Sequence, residues 1–269
     1  MATGRRGSAG ASIRVGLVDA GELSLRRSQM GRGCQPWVAH GGPGAVGAVA
    51  DGAWFMLTGA PSPDANMALV HDGDAATLAT TKQMIEAAGH PTLFMLAGRS
   101  RGSELGGGWQ HVGAMPLMSS MLDDEHLRAD PRVRQADESD FDTVVELLAD
   151  AYGMTRHVAE VCVLVLRAEP DAMQVWLLLD GEQAVSSVMT TIVDDAVCVW
   201  CMGTPARFAR RGHGRALLGD VLLRAKNAGA SIGLLGATPA GRPLYESSGW
   251  QTLEEWDLFV NADSAQFPH

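Results

Sequence analysis

The sequence predicts an α+β protein whose C-terminal part is a mostly antiparallel sheet flanked by helices, turning parallel around one glycine loop. Three observations carry that expectation. From Val133 to Val260, apolar residues alternate between the two-residue period of strands and the 3.6-residue period of helices. Asp180-Gly181 and Asp194-Asp195 punctuate apolar runs as hairpin turns do. The segment from Gly203 to Arg215, rich in arginine and glycine, separates an apolar run from a helical pattern.

A short strand is expected at 133–136, followed by a helix in which Phe141, Val144, Val145 and Leu148 share one face. Asp137 or Ser139 can cap that helix. A second helix near 156–167 leads to Pro170, and the runs 175–179 and 185–193 read as a hairpin. A third strand covers 196–202, before the glycine motif. The next helix buries Leu217, Leu218, Val221, Leu222 and Ala225, and ends at Asn227-Ala228-Gly229. A buried strand at 232–236, a helix within 239–248 with proline in its first turn and a final strand at 251–260 complete the order β-α-α-β-β-β-α-β-α-β.

Before this region the pattern is weaker. Residues 1–34 scatter arginines among glycine and serine, which predicts partial disorder. Residues 35–120 form an N-terminal lobe, 121–131 a charged linker ending in proline, 132–262 the patterned domain and 263–269 a tail. The two parts echo each other. Gly89 and Trp109 of the first Gly-Trp-Gln stretch are 20 residues apart, Gly229 and Trp250 of the second are 21, and both intervals read as helix end, apolar strand, short helix and strand. Counting back through this echo sets Asp74 against Gly214 and Glu104 against Tyr245, so the N-terminal copy lacks the chemistry.

A chain of 269 residues, 46% hydrophobic, can bury real cores. Without a run of 18 apolar residues or a secretory leader, a cytoplasmic location away from membranes is expected. Four cysteines are too few for a disulfide framework in a chain of this size. A net charge of -10 argues against nucleic acid as a partner, because phosphate neutralisation needs a basic face. Edge strands leave a homodimer open.

The chemistry concentrates in Ala209-Arg210-Arg211-Gly212-His213-Gly214. A strand running through a glycine loop into a helix aims free N–H groups and the positive helix end at one place, which suits a pyrophosphate. Gly212 and Gly214 let the backbone approach, and Arg207, Arg210, Arg211 and Arg215 can neutralise charge. A dinucleotide fingerprint would need a third glycine and a later acid, and a P-loop would need Gly-Lys-Ser/Thr; neither is present. Cys198-Val199-Trp200-Cys201 has metal-ligand spacing, but on an extended strand the two sulfurs point to opposite faces, so no metal is expected.

Residues 132–262 resemble the GCN5-related N-acetyltransferase (GNAT) superfamily, on two motifs in order. The first is similar to the family's Gln/Arg-x-x-Gly-x-Gly/Ala signature, with Ala209 in its first position; the second is Thr238 followed by Leu244-Tyr245-Glu246-Ser247-Ser248-Gly249-Trp250. The resemblance implies the GNAT acyl-CoA N-acyltransferase fold, in tandem with a degenerate N-terminal lobe, and acetyl-CoA as co-substrate. It implies that Cys201, Met202 and Thr204 pair with the pantetheine arm, that 209–215 and Thr238 belong to the coenzyme site, and that an amine attacks the thioester directly while Tyr245 protonates the departing thiolate. The family closes with two strands after the glycine corresponding to Gly249, and this sequence has room for one long strand. No general base stands out: His157, Glu160 and Asp195 are ordinary surface groups as well. Two further expectations stay open, a catalytically idle acyl-CoA-binding or sensory module and a two-lobed acetyltransferase similar to mycothiol synthase.

Overall fold

Apolar strands from both parts of the chain feed one sheet. The computed structural model describes residues 19–40, 42, 44–123, 125–167 and 172–261; Pro170 and the predicted tail at 263–269 lie outside the described residues. The N-terminal part contributes helix α1 (Ala20–Gly33), α2 (Pro36–Ala39), strands β1 (Val46–Ala50), β2 (Ala53–Leu57) and β3 (Asn66–Val70), helix α3 (Ala75–Ala88), and strands β4 (Leu93–Leu96) and β5 (Gln110–Met121). The C-terminal part follows the order read from its periodicity: β6 (Val133–Gln135), α4 (Phe141–Tyr152), α5 (Arg156–Val163), β7 (Gln174–Asp180), β8 (Gln183–Val193), β9 (Ala196–Gly203), α6 (His213–Asn227), β10 (Ile232–Gly236), α7 (Arg242–Glu246) and β11 (Gln251–Val260).

These strands form one 11-stranded sheet in the order β1-β2-β3-β4-β11-β5-β10-β9-β8-β7-β6. The centre of that order is an exchange. β5 follows β4 in sequence yet lies between β11 and β10, and β11 follows β10 yet lies between β4 and β5. β5 pairs antiparallel with β10 from Gly236↔Leu117 to Ile232↔Met121, and with β11 from Gln251↔Ser119 to Val260↔Gln110. The second closing strand for which the C-terminal sequence has no room is therefore supplied by the N-terminal part. Neither part can leave without breaking ladder hydrogen bonds of the other.

Helices α1, α2, α4 and α5 share one face, packing Met30, Trp37, Val144, Leu148 and Ala159 with Cys198, Trp200, Leu234 and Trp256. On the other face α6 buries Leu217, Leu218, Val221 and Leu222, none more than 4% exposed, against Val197, Val199 and Leu235. Each such side chain contributes about 1.5–3 kcal/mol. Beside it, α3 lays Ile85 over Phe55, Val70 and Phe94.

Within residues 1–34, expected to be partly disordered, 20–33 form helix α1, while 1–18 lie outside the described residues. α1 is capped by the Asp19 side chain and packs close enough that a Cβ on Gly33 would stand 2.8 Å from Thr191 Oγ1. Its arginines read as solvated because their partners are remote in sequence. Arg27 is 3% exposed and forms a fork with Glu254 of β11 at 2.6 Å on both arms and with Asp72 at 2.5 Å. Arg26 and Gln29 hold Asp195 at 2.9 and 2.8 Å, and Arg32 holds Asp194. In the segment expected as a linker, Leu122 and Leu127 are buried beside α6, and the Leu122 N–H donates to Ser231 O at 3.0 Å.

Candidate active site

β9 and β10 run parallel and pair only from Ala196↔Ile232 to Cys198↔Leu234. Beyond Cys198 the two strands separate. On its other side β9 bulges against β8, with Ser187 opposite Gly203 but Met189 opposite Trp200. The extra residue is accommodated at Cys201, whose φ of 46° is a left-handed conformation that non-glycine residues seldom adopt. The bulge takes Cys201 and Met202 out of register with β8 before Gly203 pairs with Ser187 again, beside the opening between β9 and β10.

The bulge also resets side-chain alternation, which corrects the expectation that the sulfurs of Cys198 and Cys201 face opposite ways. Cys198 lies within the cluster on the α4–α5 face, and Cys201 packs against the same cluster. Burial pushes the Cys198 thiol up to about 12 and raises Cys201 and Cys162 as well. Thiols so disposed are poor nucleophiles and poor metal ligands at neutral pH. Among the described residues no group of three or more His, Cys, Asp and Glu could hold a metal ion.

From Gly203 the chain makes a short 3-10 turn at Ala206–Phe208 and enters α6 at His213. Arg210 with φ 65° and Gly212 with φ 82° give the loop the left-handed turns that present successive N–H groups to one side, and α6 opens without a side-chain cap. Gly214 faces the opening. A Cβ there would stand 3.4 Å from Leu244 Cδ2, 3.5 Å from Met202 Cε and 3.5 Å from Thr204 Oγ1. Thr204 Oγ1 also lies 2.8 Å from Ser186 Oγ, which donates to Gly203 O.

The four arginines differ. Arg210 and Arg211 are exposed beside the helix start, with no ion-pair partner among the described residues. Arg207 pairs with Asp150 of α4 and lies 4.7 Å over the Phe208 ring. Arg215 donates to Ser247 O at 2.9 Å and Ser247 Oγ at 2.7 Å, tying α6 to the end of α7. Arg215 and Arg207, grouped with the phosphate ligands from sequence, are thus engaged by protein. His213 is buried, with neither ring nitrogen partnered among the described residues, and Ala209 is half-buried in extended conformation. Thr238 caps the turn into α7, its Oγ1 accepting from Gly241 N at 3.1 Å.

Both tyrosines converge on Met202. Tyr245 Oη donates to Met202 Sδ at 3.7 Å, and Tyr152 Oη donates to Met202 O at 3.0 Å. Burial raises the phenol of Tyr245, and burial first, then the nearby Cys201, raises that of Tyr152. Both remain protonated through neutral pH. Sequence reasoning missed Tyr152; its spacing inside an amphipathic helix marks it only as a core residue. Asp195 and Glu160 are held by Arg26 and Arg156, and His157 is exposed on α5. A half-buried carboxylate that no motif singled out, Asp64, lies in the loop before β3, where Pro63–Ala65 packs on α5.

No protein-family model matches the chain, and no curated protein matches it in sequence. Solved structures do match in fold. A GCN5-related N-acetyltransferase from Kribbella flavida is 16% identical, the match covering 91% of this chain and 96% of that one with a TM-score of 0.62. A GCN5-related N-acetyltransferase from Sphaerobacter thermophilus is 14% identical over 79% of this chain and 81% of that one, with a TM-score of 0.51. Saccharomyces cerevisiae N-myristoyltransferase, solved with bound myristoyl-CoA, is 11% identical over 72% and 62%, with a TM-score of 0.51. The chain has the GNAT fold. No helix among the described residues is long and apolar enough to cross a membrane.

Proposed function

We propose that this protein is an N-acetyltransferase that moves the acetyl group of acetyl-CoA to a primary amine by direct attack in a ternary complex. One observation carries the reading: the separated strands β9 and β10 open beside an uncapped helix start that bears Gly212, Gly214 and two exposed arginines. Such a place fits a pyrophosphate on the N–H groups of 210–214, with Arg210 and Arg211 supplying countercharge. The space at Gly214, within 3.5 Å of Met202 and Thr204, is what a thioester arm entering between the strands would need. Met202 is unbranched and can change rotamer to admit that arm.

In this reading the backbone of Cys201, Met202 and Thr204 pairs with the pantetheine amides, and the Met202 N–H polarises the thioester oxygen. The Tyr152 hydroxyl holds the carbonyl of the same residue and so fixes the bulge. The amine attacks the thioester carbon, the carbon–sulfur bond breaks, and Tyr245 gives its proton to the departing sulfur. A phenol at its ordinary pKa of about 10 already holds that proton at neutral pH, and the burial that raises Tyr245 further works against its release. The degenerate copy at 35–120 supplies β5 and carries no coenzyme.

The test is steady-state release of coenzyme A over a panel of primary amines, with wild type and Tyr245→Phe. The expected result is turnover by wild type, and a turnover loss of about 10²-fold or more in the variant without a change in acetyl-CoA affinity. Coenzyme binding without turnover of any amine would instead favour an idle acyl-CoA-binding module. Activity confined to a cysteinyl glycoside would favour the mycothiol-synthase-like reading.

A further inference from the structure

One wall of the strand opening comes from the N-terminal part of the chain. Beyond Leu234, β10 has left β9, yet the pair Gly236↔Leu117 and the Ala237 N–H donating to Pro116 O at 3.0 Å keep it on β5. Ile232 and Leu234 belong to the cluster beneath α4 and α5, and Leu235 to the α6 cluster. By strand alternation Gly236 therefore faces the α4–α5 side. A Cβ there would stand 2.7 Å from Met115 Cε and 3.0 Å from its Sδ, so the thioether of Met115, a residue of β5, lies directly on Gly236. Met115 packs against the same cluster and sits opposite Trp256 of β11, whose buried indole donates to Glu254 Oε1 at 2.7 Å.

The two faces of the opening differ. On the α6 side are Gly214, Met202 and Tyr245, whose hydroxyl donates to Met202 Sδ at 3.7 Å. On the α4–α5 side are Trp200, Cys201, Leu234 and Met115, all part of one apolar cluster or packed against it. The Trp200 indole N–H is already taken by Thr191 Oγ1 at 3.1 Å. An arm that starts at the α6 N-terminus and leaves its sulfur beside Tyr245 carries its acyl carbon onward through the gap. The acyl chain then ends against the second group, a surface suited to hydrocarbon. Met115, half-buried over Gly236, is the side chain that stands across that path from the β10 side.

We propose that Met115 sets the length of the acyl chain, closing the opening behind a short acyl group such as acetyl. The inference rests on the acetyltransferase reading above and adds that the site is composite: the exchanged strand β5 brings a specificity-determining side chain from the N-terminal part. A longer chain must push the thioether off Gly236 and into the packing around Trp256, and a packed interior resists added methylenes. Met115→Ala removes the thioether and leaves that space to the chain. The backbone pairing of β5 with β10 and β11 does not depend on the side chain.

The experiment is calorimetric titration of the full chain with coenzyme A, acetyl-CoA, butyryl-CoA and hexanoyl-CoA, which needs no acceptor. Coenzyme A has no acyl group to meet Met115 and is the reference in each protein. Wild type is expected to bind hexanoyl-CoA about 10- to 200-fold more weakly than acetyl-CoA, with butyryl-CoA between them. Met115→Ala should shrink that gap to about threefold or less. Met115→Val, which removes less packing, should give an intermediate gap and carries the test if the Ala variant does not fold. A gap unchanged in the folded variants, or a wild type that binds all three acyl chains alike, overturns the role and leaves the coenzyme site standing. A folded wild type that binds none of the four compounds overturns the acetyltransferase reading and this role with it.

Discussion

In the N-terminal part of the sheet, β3 reaches α3 through four residues, His71 to Asp74, and the Asp74 carboxylate closes the helix start by accepting from Thr77 N at 2.9 Å. In the C-terminal part, β9 reaches α6 through nine residues, Thr204 to Gly212, and the helix start has no side-chain cap. The paired strands differ in the same sense. β3 and β4 stay paired to the last residues of both, at Val70↔Leu96, whereas β9 leaves β10 after Cys198. The space beyond β3 and β4 is filled: a Cβ on Gly98 would stand 2.8 Å from Arg27 Nη2 and 2.9 Å from Asp72 Oδ1. The same strand–helix–strand path therefore yields either an open, uncapped helix start, where the proposed coenzyme site lies, or an ion-paired wall. What decides is whether the helix start carries its own carboxylate and whether the strand bulges before it.

The difference is testable from both sides. The largest effect is expected from Gly214→Val, whose methyls occupy the opening between Met202, Thr204 and Leu244. Acetyl-CoA affinity should fall by 100-fold or more by calorimetry (on the order of 2.7 kcal/mol) while the circular dichroism spectrum stays native. Arg27→Met leaves Glu254 buried without its partner and should cost roughly 3–5 kcal/mol in urea unfolding, since removing half of a buried pair strands the other charge. Arg210→Ala and Arg211→Ala, exposed at the helix start, should each weaken acetyl-CoA binding several-fold, more at low salt than at high salt.

The smallest effect concerns pH. Burial raises the Asp64 carboxyl in the folded chain, so the folded state favours its protonated form, and stability is lost as pH rises from the unfolded value through the folded one. Tyr152, Cys162 and Cys201 stay neutral throughout, because burial raises all three. Asp64→Asn should accordingly melt above wild type at pH 8, with the gain shrinking as pH falls toward the ordinary carboxylate range. An equal melting difference at every pH would contradict an Asp64 carboxyl raised by burial.

The C-terminal part was legible because its information is local. The bounds of α6 follow from Leu217, Leu218, Val221, Leu222 and the Ala228-Gly229 stop, and the glycine frame 209–214 marks its own position before a helix. The exchange of β5 and β11 was not legible, since pairing Leu117 with Gly236 and Glu254 is a choice among remote partners that no period encodes. α1 was not legible, and its segment read as partly disordered, for a related reason. Arg26, Arg27 and Arg32 resemble a solvated stretch until Asp195, Glu254 and Asp194 are brought to them from the far end of the chain. Asp64 sits in Pro61-Ser62-Pro63-Asp64, which by composition is only a turn. The bulge at Cys201 was hidden as well, because nothing in Trp200-Cys201-Met202 marks an extra residue in a strand.

The most direct test of a single coenzyme site is the stoichiometry of acetyl-CoA binding by calorimetry, for wild type, Gly214→Val and Asp74→Ala. The account predicts one site per chain in wild type, the same site in Asp74→Ala with a slightly lower melting temperature, and none in Gly214→Val. Two sites per chain, or binding that survives Gly214→Val and disappears in Asp74→Ala, would contradict it.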